Sequence, residues 1–340
     1  MNTASAAGDA PELQALIGRR KGPYLGYNPV SRVQIWQWCS AMGDRNPLYL
    51  DEVYQREAGF DGAVAPPAMM QMWTMRDVDM RYAPGSSAER PYEIMDVLSA
   101  AGYPGNVAVS YDLHFHRLLR EGDRAHHYNT IASISGLKTT ALGEGYFFVE
   151  HAQFYDQQET LFAEAFITYF QYAPAQGEEA AHKRDLSAED PPSAEGNWQP
   201  DFKDVLRADI EAGTALPELA IPITHKLIVA GAVASQDFID VHHNAPAARA
   251  AAMPDIFMNI LTTCGLCARY LTDWAGPGSR LTRLQLQLLA PNTPGDTMLL
   301  QGTVKDIAAG GDPLVADVEF AGRNSRGYHV TGSAAVKLAG

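Results

Sequence analysis

Residues 237–277 read DFIDVHHNAPAARAAAMPDIFMNILTTCGLCARYLTDWAGP, a polar loop followed by a long apolar segment. From Ile256 to Trp274 the side chains of Ile256, Ile260, Cys264, Cys267 and Leu271 recur at the spacing of one helix stripe, and Gly276-Pro277 supplies a stop signal. The spacing predicts one long helix, entered from a loop that crowds two aspartates and two histidines together. Cys264 and Cys267 form a C-x-x-C, but both fall on the stripe that faces a core. A reactive thiolate needs an electropositive, partly exposed setting, and a zinc site needs four ligands, which the three cysteines Cys39, Cys264 and Cys267 do not supply. No redox or metal role is expected for them.

Working outward, the residues after this helix alternate as strands do: Leu284 to Leu288, Leu314 to Phe320, and Val330 to Leu338, where Val330, Gly332, Ala334, Val336 and Leu338 share a face. Upstream, the stretch from Pro174 to Asp209 is rich in charge, proline and alanine and reads as a linker. The expected division is residues 1–173, a linker at 174–215, and residues 216–340. The first half repeats the order of the second. A helix from about Arg32, capped by Ser31, leads to the loop GDRNPLYLDE (43–52), then to a Met-rich helix over AMMQMWTM (68–75), then to strands that include Val107 to Phe115 and Phe162 to Gln171. Each half also carries a Gly-Asp turn, at Gly122-Asp123 and Gly295-Asp296. Two copies of one α+β unit, each an antiparallel sheet around a central helix and paired edge to edge, account for this order.

The formal charge of −14 argues against nucleic acid or an anionic membrane as the main partner. No apolar run approaches the roughly 20 residues that span a bilayer, and the first residues lack the order of a signal peptide. A cytoplasmic protein with a small-molecule partner is the expectation.

The loop, its Asp-x-x-x-x-His spacing and the helix that follows resemble the MaoC-like hydratases and dehydratases of the hotdog fold. GDRNPLYLDE followed by GAVAPPAMMQMW is similar to the dehydratase-type hotdog, and residues 237–277 resemble the small subunit of the actinobacterial steroid side-chain enoyl-CoA hydratases. The resemblance implies a double hotdog, a fused form of a two-chain hydratase, acting on an α,β-unsaturated acyl-CoA, with a cholesterol or bile acid side chain as the favoured substrate. It makes Asp237 and His242 the catalytic pair and places an oxyanion-binding backbone N–H at Asn259, where the family often has His-Gly. A carboxylate and an imidazole gripping one water can activate it and deliver a proton to the α-carbon, while amides at a helix start stabilise the thioester oxygen. No cofactor is implied beyond the CoA thioester. The further partners implied are a second copy of the chain and an aldolase working with a separate zinc-ribbon protein, because the large subunit's extension is missing here.

In the first half, Asp44 takes the place of the aspartate but Tyr49 stands five positions on, and a phenol that titrates near 10 is a poor base. That loop reads as catalytically silent. Asp44, Tyr49, Pro66 and Pro67 are expected to belong to the substrate-binding wall. Asp44 and Asp123 are 79 positions apart against 59 for Asp237 and Asp296. The extra residues, RYAPGSSAERPYEIMDVLSAAGYPGN, suit either a roomy acyl pocket or a surface excursion. Asp240 and Asn244 are assigned to capping or turns, and His243 faces away. His114 and His116 share one face of an expected strand but lack a third ligand, His126-His127 after the Gly-Asp turn reads as a polar strand start, and no metal is assigned. Arg280, Arg283 and Arg323 are candidates for the CoA phosphates by charge alone. Two other readings stay open: a dehydratase for a smaller 3-hydroxyacyl thioester, and a non-catalytic acyl-CoA binding or scaffolding protein.

Overall fold

The computed structural model describes residues 11–140, 142–174, 190–192, 197–251, 253–308 and 311–339. The N-terminal half contributes strands β1 (Arg20–Leu25), β2 (Gly105–Phe115), β3 (His126–Ile134), β4 (Lys138–Thr140), β5 (Gly143–Tyr155) and β6 (Leu161–Pro174). The C-terminal half contributes β7 (Leu219–Ile223), β8 (Arg280–Leu288), β9 (Asp296–Ile307), β10 (Val315–Asn324) and β11 (Gly327–Lys337). The helices are α1 (Pro11–Gln14), α2 (Arg32–Met42), α3 (Pro47–Leu50), α4 (Glu52–Glu57), α5 (Glu93–Ala100), α6 (His225–Ala234), α7 (Ala245–Ala250) and α8 (Ile260–Ala275).

All strands join one antiparallel sheet in the order β1-β3-β5-β6-β2-β8-β11-β10-β9-β7, with β4 against β5. The halves meet where β2 pairs with β8, from Ser110 opposite Gln287 to His114 opposite Arg283. Each half thereby covers an edge of the other, as two fused units require. Across this seam Arg283 donates two hydrogen bonds to Asp112, at 2.8 and 2.7 Å. The paired forks fix the register of the two units.

α8 is the central helix of the second half. Of its 16 residues, all but Ile260 and Arg269 are buried, so it is enclosed on every side rather than along a single stripe. It begins at Ile260, later than the apolar spacing suggests, because Asn259 caps it: the Asn259 side chain accepts from the Thr262 N–H at 2.9 Å. Cys264 and Cys267 are buried within it, and burial pushes both thiols up, away from reactive thiolates. Close packing sets the position of α8. A Cβ at Gly231 of α6 would meet Thr262 Oγ1 at 2.3 Å, and one at Gly265 would meet the Trp38 ring of α2 at 2.8 Å.

The first half departs from the expected plan at its central element. AMMQMWTM forms no α-helix but two 3₁₀ turns, Pro67–Met69 and Met72–Thr74, with i to i+3 bonds such as Met70 N–H to Pro67 O and Met75 N–H to Met72 O. Alanine and methionine favour helix, but this run is too short to be stable without caps. Pro66 offers no side-chain cap, and Met75 is already extended. The chain then turns at Asp77, whose Oδ1 accepts from the Asp79 and Arg81 N–H groups. It returns through α5, inside the extra residues seen in the sequence.

Of the expected linker, Pro174, which ends β6, and residues 190–192 and 197–215 are described, and the rest lies outside the described residues. The described part holds one 3₁₀ turn, Arg207–Asp209, and docks on the second half through Val205 N–H to Ala275 O and Gly213 N–H to Val304 O.

Candidate active site

α6 starts at Thr224, whose hydroxyl accepts from the Leu227 N–H, and ends at Ser235. Gln236 then takes a positive φ of 56°, and the Asp237 N–H returns to Ala232 O at 2.9 Å. This tight reversal aims Asp237 inward. Ser235 is held by its own hydroxyl, which donates to Gly231 O at 2.8 Å. A 3₁₀ turn, Asp240–His242, brings His242 beside Asp237.

Both side chains are nearly buried, and His242 Nε2 stands 3.6 Å from Asp237 Oδ2. That separation is too long for a direct hydrogen bond and leaves both atoms able to hold a third group. His242 Nδ1 lies 2.8 Å from Phe257 O. A carbonyl only accepts, so Nδ1 carries the hydrogen and the neutral ring presents a bare Nε2 toward Asp237. The Phe257 ring packs edge-on against the imidazole, with centroids 5.1 Å apart.

Asn259 joins the pair to the helix. Its Nδ2 donates to Asp237 Oδ2 and to Ser235 Oγ, both at 2.9 Å, while its Oδ1 caps α8. One side chain therefore positions the carboxylate and the helix start together. The sequence reading took only the Asn259 backbone into account. An asparagine just ahead of an apolar helical run is the signal that would have found its side chain. The backbone N–H groups of Asn259, Ile260 and Leu261, at the positive end of α8, have no hydrogen-bond partner found among the described residues. Thr263 Oγ1 donates to His329 Nε2 at 2.9 Å, and His329 Nδ1–H donates to Ala290 O. Burial pushes His329 down to about 4, which keeps it neutral as an acceptor beneath the helix.

Asp237, His242 and Asn259 line a cavity of about 470 Å³. Its floor is the inner face of the first half's sheet, with Tyr111, Asn129, Glu150, Ala152 and Ile167, the face that a central helix there would cover. The extra segment supplies Tyr82, Tyr92 and Met95 to its wall, so part of that insertion is cavity lining. The volume falls within the range of small-molecule sites.

The other sequence candidates lie elsewhere. Asp44, Tyr49, Pro66 and Pro67 do not line this cavity. Pro66 and Pro67 border a space of about 10 Å³, too small for an acyl group. Asp44 is buried, and burial raises its carboxyl to about 6 despite the hydrogen bond from Asn46 N–H and the nearby Arg269. Burial raises the Tyr49 phenol well above its ordinary value. Arg280, Arg283 and Arg323 are also absent from the cavity, and Arg76 is its one Arg or Lys among the described residues. His243 is exposed, facing Asp240 at 3.8 Å. Asn244 sits at the start of α7 without a side-chain cap bond. His114 lies against Asp112 and His116 against Glu164. Among the described residues there is no group of three or more His, Cys, Asp or Glu placed to hold a metal ion.

Two hotdog units fused edge to edge, with an Asp–His loop at the start of one central helix, define a double-hotdog protein, and a solved MaoC-like dehydratase aligns over 96% of this chain and 99% of its own, with a TM-score of 0.69 at 18% identity. Residues 15–165 match the FAS1-like dehydratase domain region. The chain is 40% identical over 126 residues to the 3-oxo-4,17-pregnadiene-20-carboxyl-CoA hydratase beta subunit of Mycobacterium tuberculosis, covering 37% of this chain and 95% of that one. It is 38% identical over 172 residues to the probable enoyl-CoA hydratase alpha subunit of Thermomonospora curvata, covering 50% of this chain and 54% of that one. The chain thus spans about half the length of that alpha subunit. It belongs to the MaoC-like hydratase and dehydratase family. No described helix is long and apolar enough to cross a membrane.

Proposed function

We propose that this chain is an enoyl-CoA hydratase for a bulky acyl group, with a steroid side-chain enoyl-CoA as the favoured substrate. The observation that carries the reading is the Asp237–His242 pair opening on a cavity that occupies the place of a missing helix. A water held between Asp237 Oδ2 and His242 Nε2 gives a proton to the bare imidazole nitrogen as it attacks the β-carbon. The α-carbon then takes a proton from the same pair. Charge that develops on the thioester oxygen meets the unpartnered amides at the start of α8, with the Asn259 N–H as first donor. Water exclusion by Phe257 and the buried surroundings strengthens these contacts.

A scaffold would have no use for a buried carboxylate anchored at 2.9 Å by an asparagine and facing an imidazole of fixed tautomer. The steroid class is supported by the names of the relatives and by the size and position of the cavity. The fused halves stand for the two subunits of those relatives. We extend the reading to a homodimer, because α2 and α6 pack together and expose Val33, Trp36, Val229 and Val233. Light scattering at micromolar concentration tests it, and a monomer contradicts it. The aldolase partner with a separate zinc-ribbon protein rests on resemblance and is tested by co-purification. The decisive experiment is incubation with enoyl-CoA esters from crotonyl to fused-ring acyl, with mass detection of added water. Turnover of the fused-ring ester supports the reading, and turnover restricted to short esters points to the smaller-substrate dehydratase.

A further inference from the structure

A second groove, of about 610 Å³, lies at the other end of β8 from the catalytic cavity. The cavity takes Leu288 from that strand and the groove takes Arg280, eight positions away, or about 26 Å of strand. Its place is that of the silent loop: Phe60 follows α4, and the charge of Arg280 reaches the Tyr49 phenol. Both halves build it. Gly59 takes a positive φ of 82° and the Phe60 N–H returns to Gln55 O at 2.8 Å, which ends α4 and sets Phe60 at the groove. Arg120 is held against the chain that follows, because Ala65 N–H donates to Leu119 O at 2.9 Å and Glu121 N–H to Ala63 O at 2.8 Å.

The guanidinium carbons of Arg120, from the first half, and Arg280, from the second, stand 5.7 and 5.5 Å from the Phe60 ring centroid. Neither has a carboxylate partner among the described residues, and Arg280 donates only to the carbonyls of Pro277 and Ser279. The other charges of the groove are already paired: Arg117 with Asp123 and Asp156, Lys337 with Asp312, and His116 with Glu164. Asp123, the one carboxylate in its lining, is taken up by Arg117, Gln157 and the Arg120 backbone N–H. In a chain with 40 Asp and Glu against 26 Lys and Arg, two neighbouring guanidinium groups without a carboxylate call for an anion from outside. A guanidinium fork matches phosphate oxygens two at a time. Beside the two arginines the lining is apolar, with Phe115 and Leu281 buried and Leu118 half-buried. The volume falls in the range of small-molecule sites, well beyond a lone phosphate, and an apolar wall next to paired cations suits an aromatic base that carries phosphates.

We infer that this groove is a second binding site, separate from the reaction, for a nucleoside diphosphate. The diphosphate lies between Arg120 and Arg280, and the base lies against Phe60 and Leu281. The surroundings of the silent loop agree, because the buried helix α8 leaves no room there for an acyl chain, and a ligand must be held at the surface. The inference does not depend on the hydratase reading. Nucleoside diphosphate chemistry has two sources, a free nucleotide and the nucleotide end of a CoA ester seated in the cavity, and the separation along β8 favours the first.

Calorimetry on the full chain with ADP, adenosine and inorganic pyrophosphate tests it. ADP is expected to bind with a dissociation constant below about 100 μM, and adenosine and pyrophosphate each about tenfold or more weakly. Arg120 is exposed and its guanidinium makes no hydrogen bond among the described residues, so Arg120→Ala should keep the fold, as thermal unfolding checks. That variant, and Arg280→Ala, should each weaken ADP binding by about tenfold or more. Failure of the wild-type protein to bind ADP, equal affinity for ADP and adenosine, or equal affinity of wild type and Arg120→Ala for ADP overturns the inference. Hydration of crotonyl-CoA separates the two sources. An unchanged KM in Arg120→Ala supports a free nucleotide, and a KM raised about tenfold with kcat intact gives the groove to the substrate's own nucleotide end and overturns the separate site.

Discussion

The two loops that open with Asp44 and Asp237 start from the same design and end in opposite surroundings. Each follows a helix, α2 or α6, and each buries its aspartate. Asp44 meets the far end of the intact central helix α8, where Arg269 donates to Met42 O at 2.8 Å and to Asp273 at 3.0 Å. That ground is filled. Asp237 instead meets the first half, where two 3₁₀ turns leave the sheet uncovered and a cavity in place of a helix. Of the two loops, the one that opens on a cavity is the one whose neighbouring unit lacks a central helix. The histidine is retained on the side with space, and a tyrosine stands on the side without it.

This contrast is open to attack at several points. The largest effect is expected for His242→Ala, which should lower kcat on a good enoyl-CoA by about a thousandfold while binding of a saturated ester changes little. Steady-state kinetics beside calorimetry separates the two, and a loss confined to binding would make His242 a wall residue. Next comes the cavity itself. Ala152→Phe puts a ring on the floor and should cut the ratio of kcat/KM for fused-ring over crotonyl esters by about tenfold to a hundredfold. An unchanged ratio would mean that the bulky group lies elsewhere.

A third effect is in stability. Burial raises Glu150 from 4.5 to about 7, so the folded state holds a proton that the unfolded chain releases. Its stabilising share is complete below about pH 4.5 and is lost as pH rises through about 7, on the order of 3 kcal/mol. The phenols around it, Tyr92, Tyr111 and Tyr169, are raised well above their ordinary value by burial and stay neutral through this window. Denaturant unfolding at a series of pH values should show the slope in the wild-type protein and a flatter profile in Glu150→Gln. Equal slopes would place the carboxyl in water. The smallest effect is expected for Tyr49→Phe, less than about twofold in kcat/KM, because the phenol meets no cavity that holds the pair. A large loss there would bring the first loop into the reaction.

Much of this was legible in the residues. The repeat, the Ser31 cap, the strands near Val107, Phe162, Leu284 and Val330, and the central helix all follow from local pattern, because periodicity and caps are properties of neighbours in sequence. The Met-rich segment misled for the opposite reason. Its helix propensity is real, but Pro66, the turn at Asp77 and the packing around Met69 and Trp73 decide its form, and these are tertiary facts. The side-chain role of Asn259 was hidden because the helix start was placed too early. Asn129 and Glu150 were invisible for a deeper reason: strand register alone brings residues 21 positions apart to one spot on one face. Asp44, Tyr49, Pro66 and Pro67, expected as substrate wall, lie away from the cavity beside Asp237, because they belong to the equivalent loop of the other half.

The central claim is that one loop carries the chemistry and the other does not. It is tested most directly by kcat/KM for Asp237→Asn and Asp44→Asn on one fused-ring enoyl-CoA, with folding of each variant checked by thermal unfolding. The account predicts a loss of about a thousandfold for Asp237→Asn and at most about threefold for Asp44→Asn. Comparable losses in the two folded variants, or an active Asp237→Asn, would contradict it.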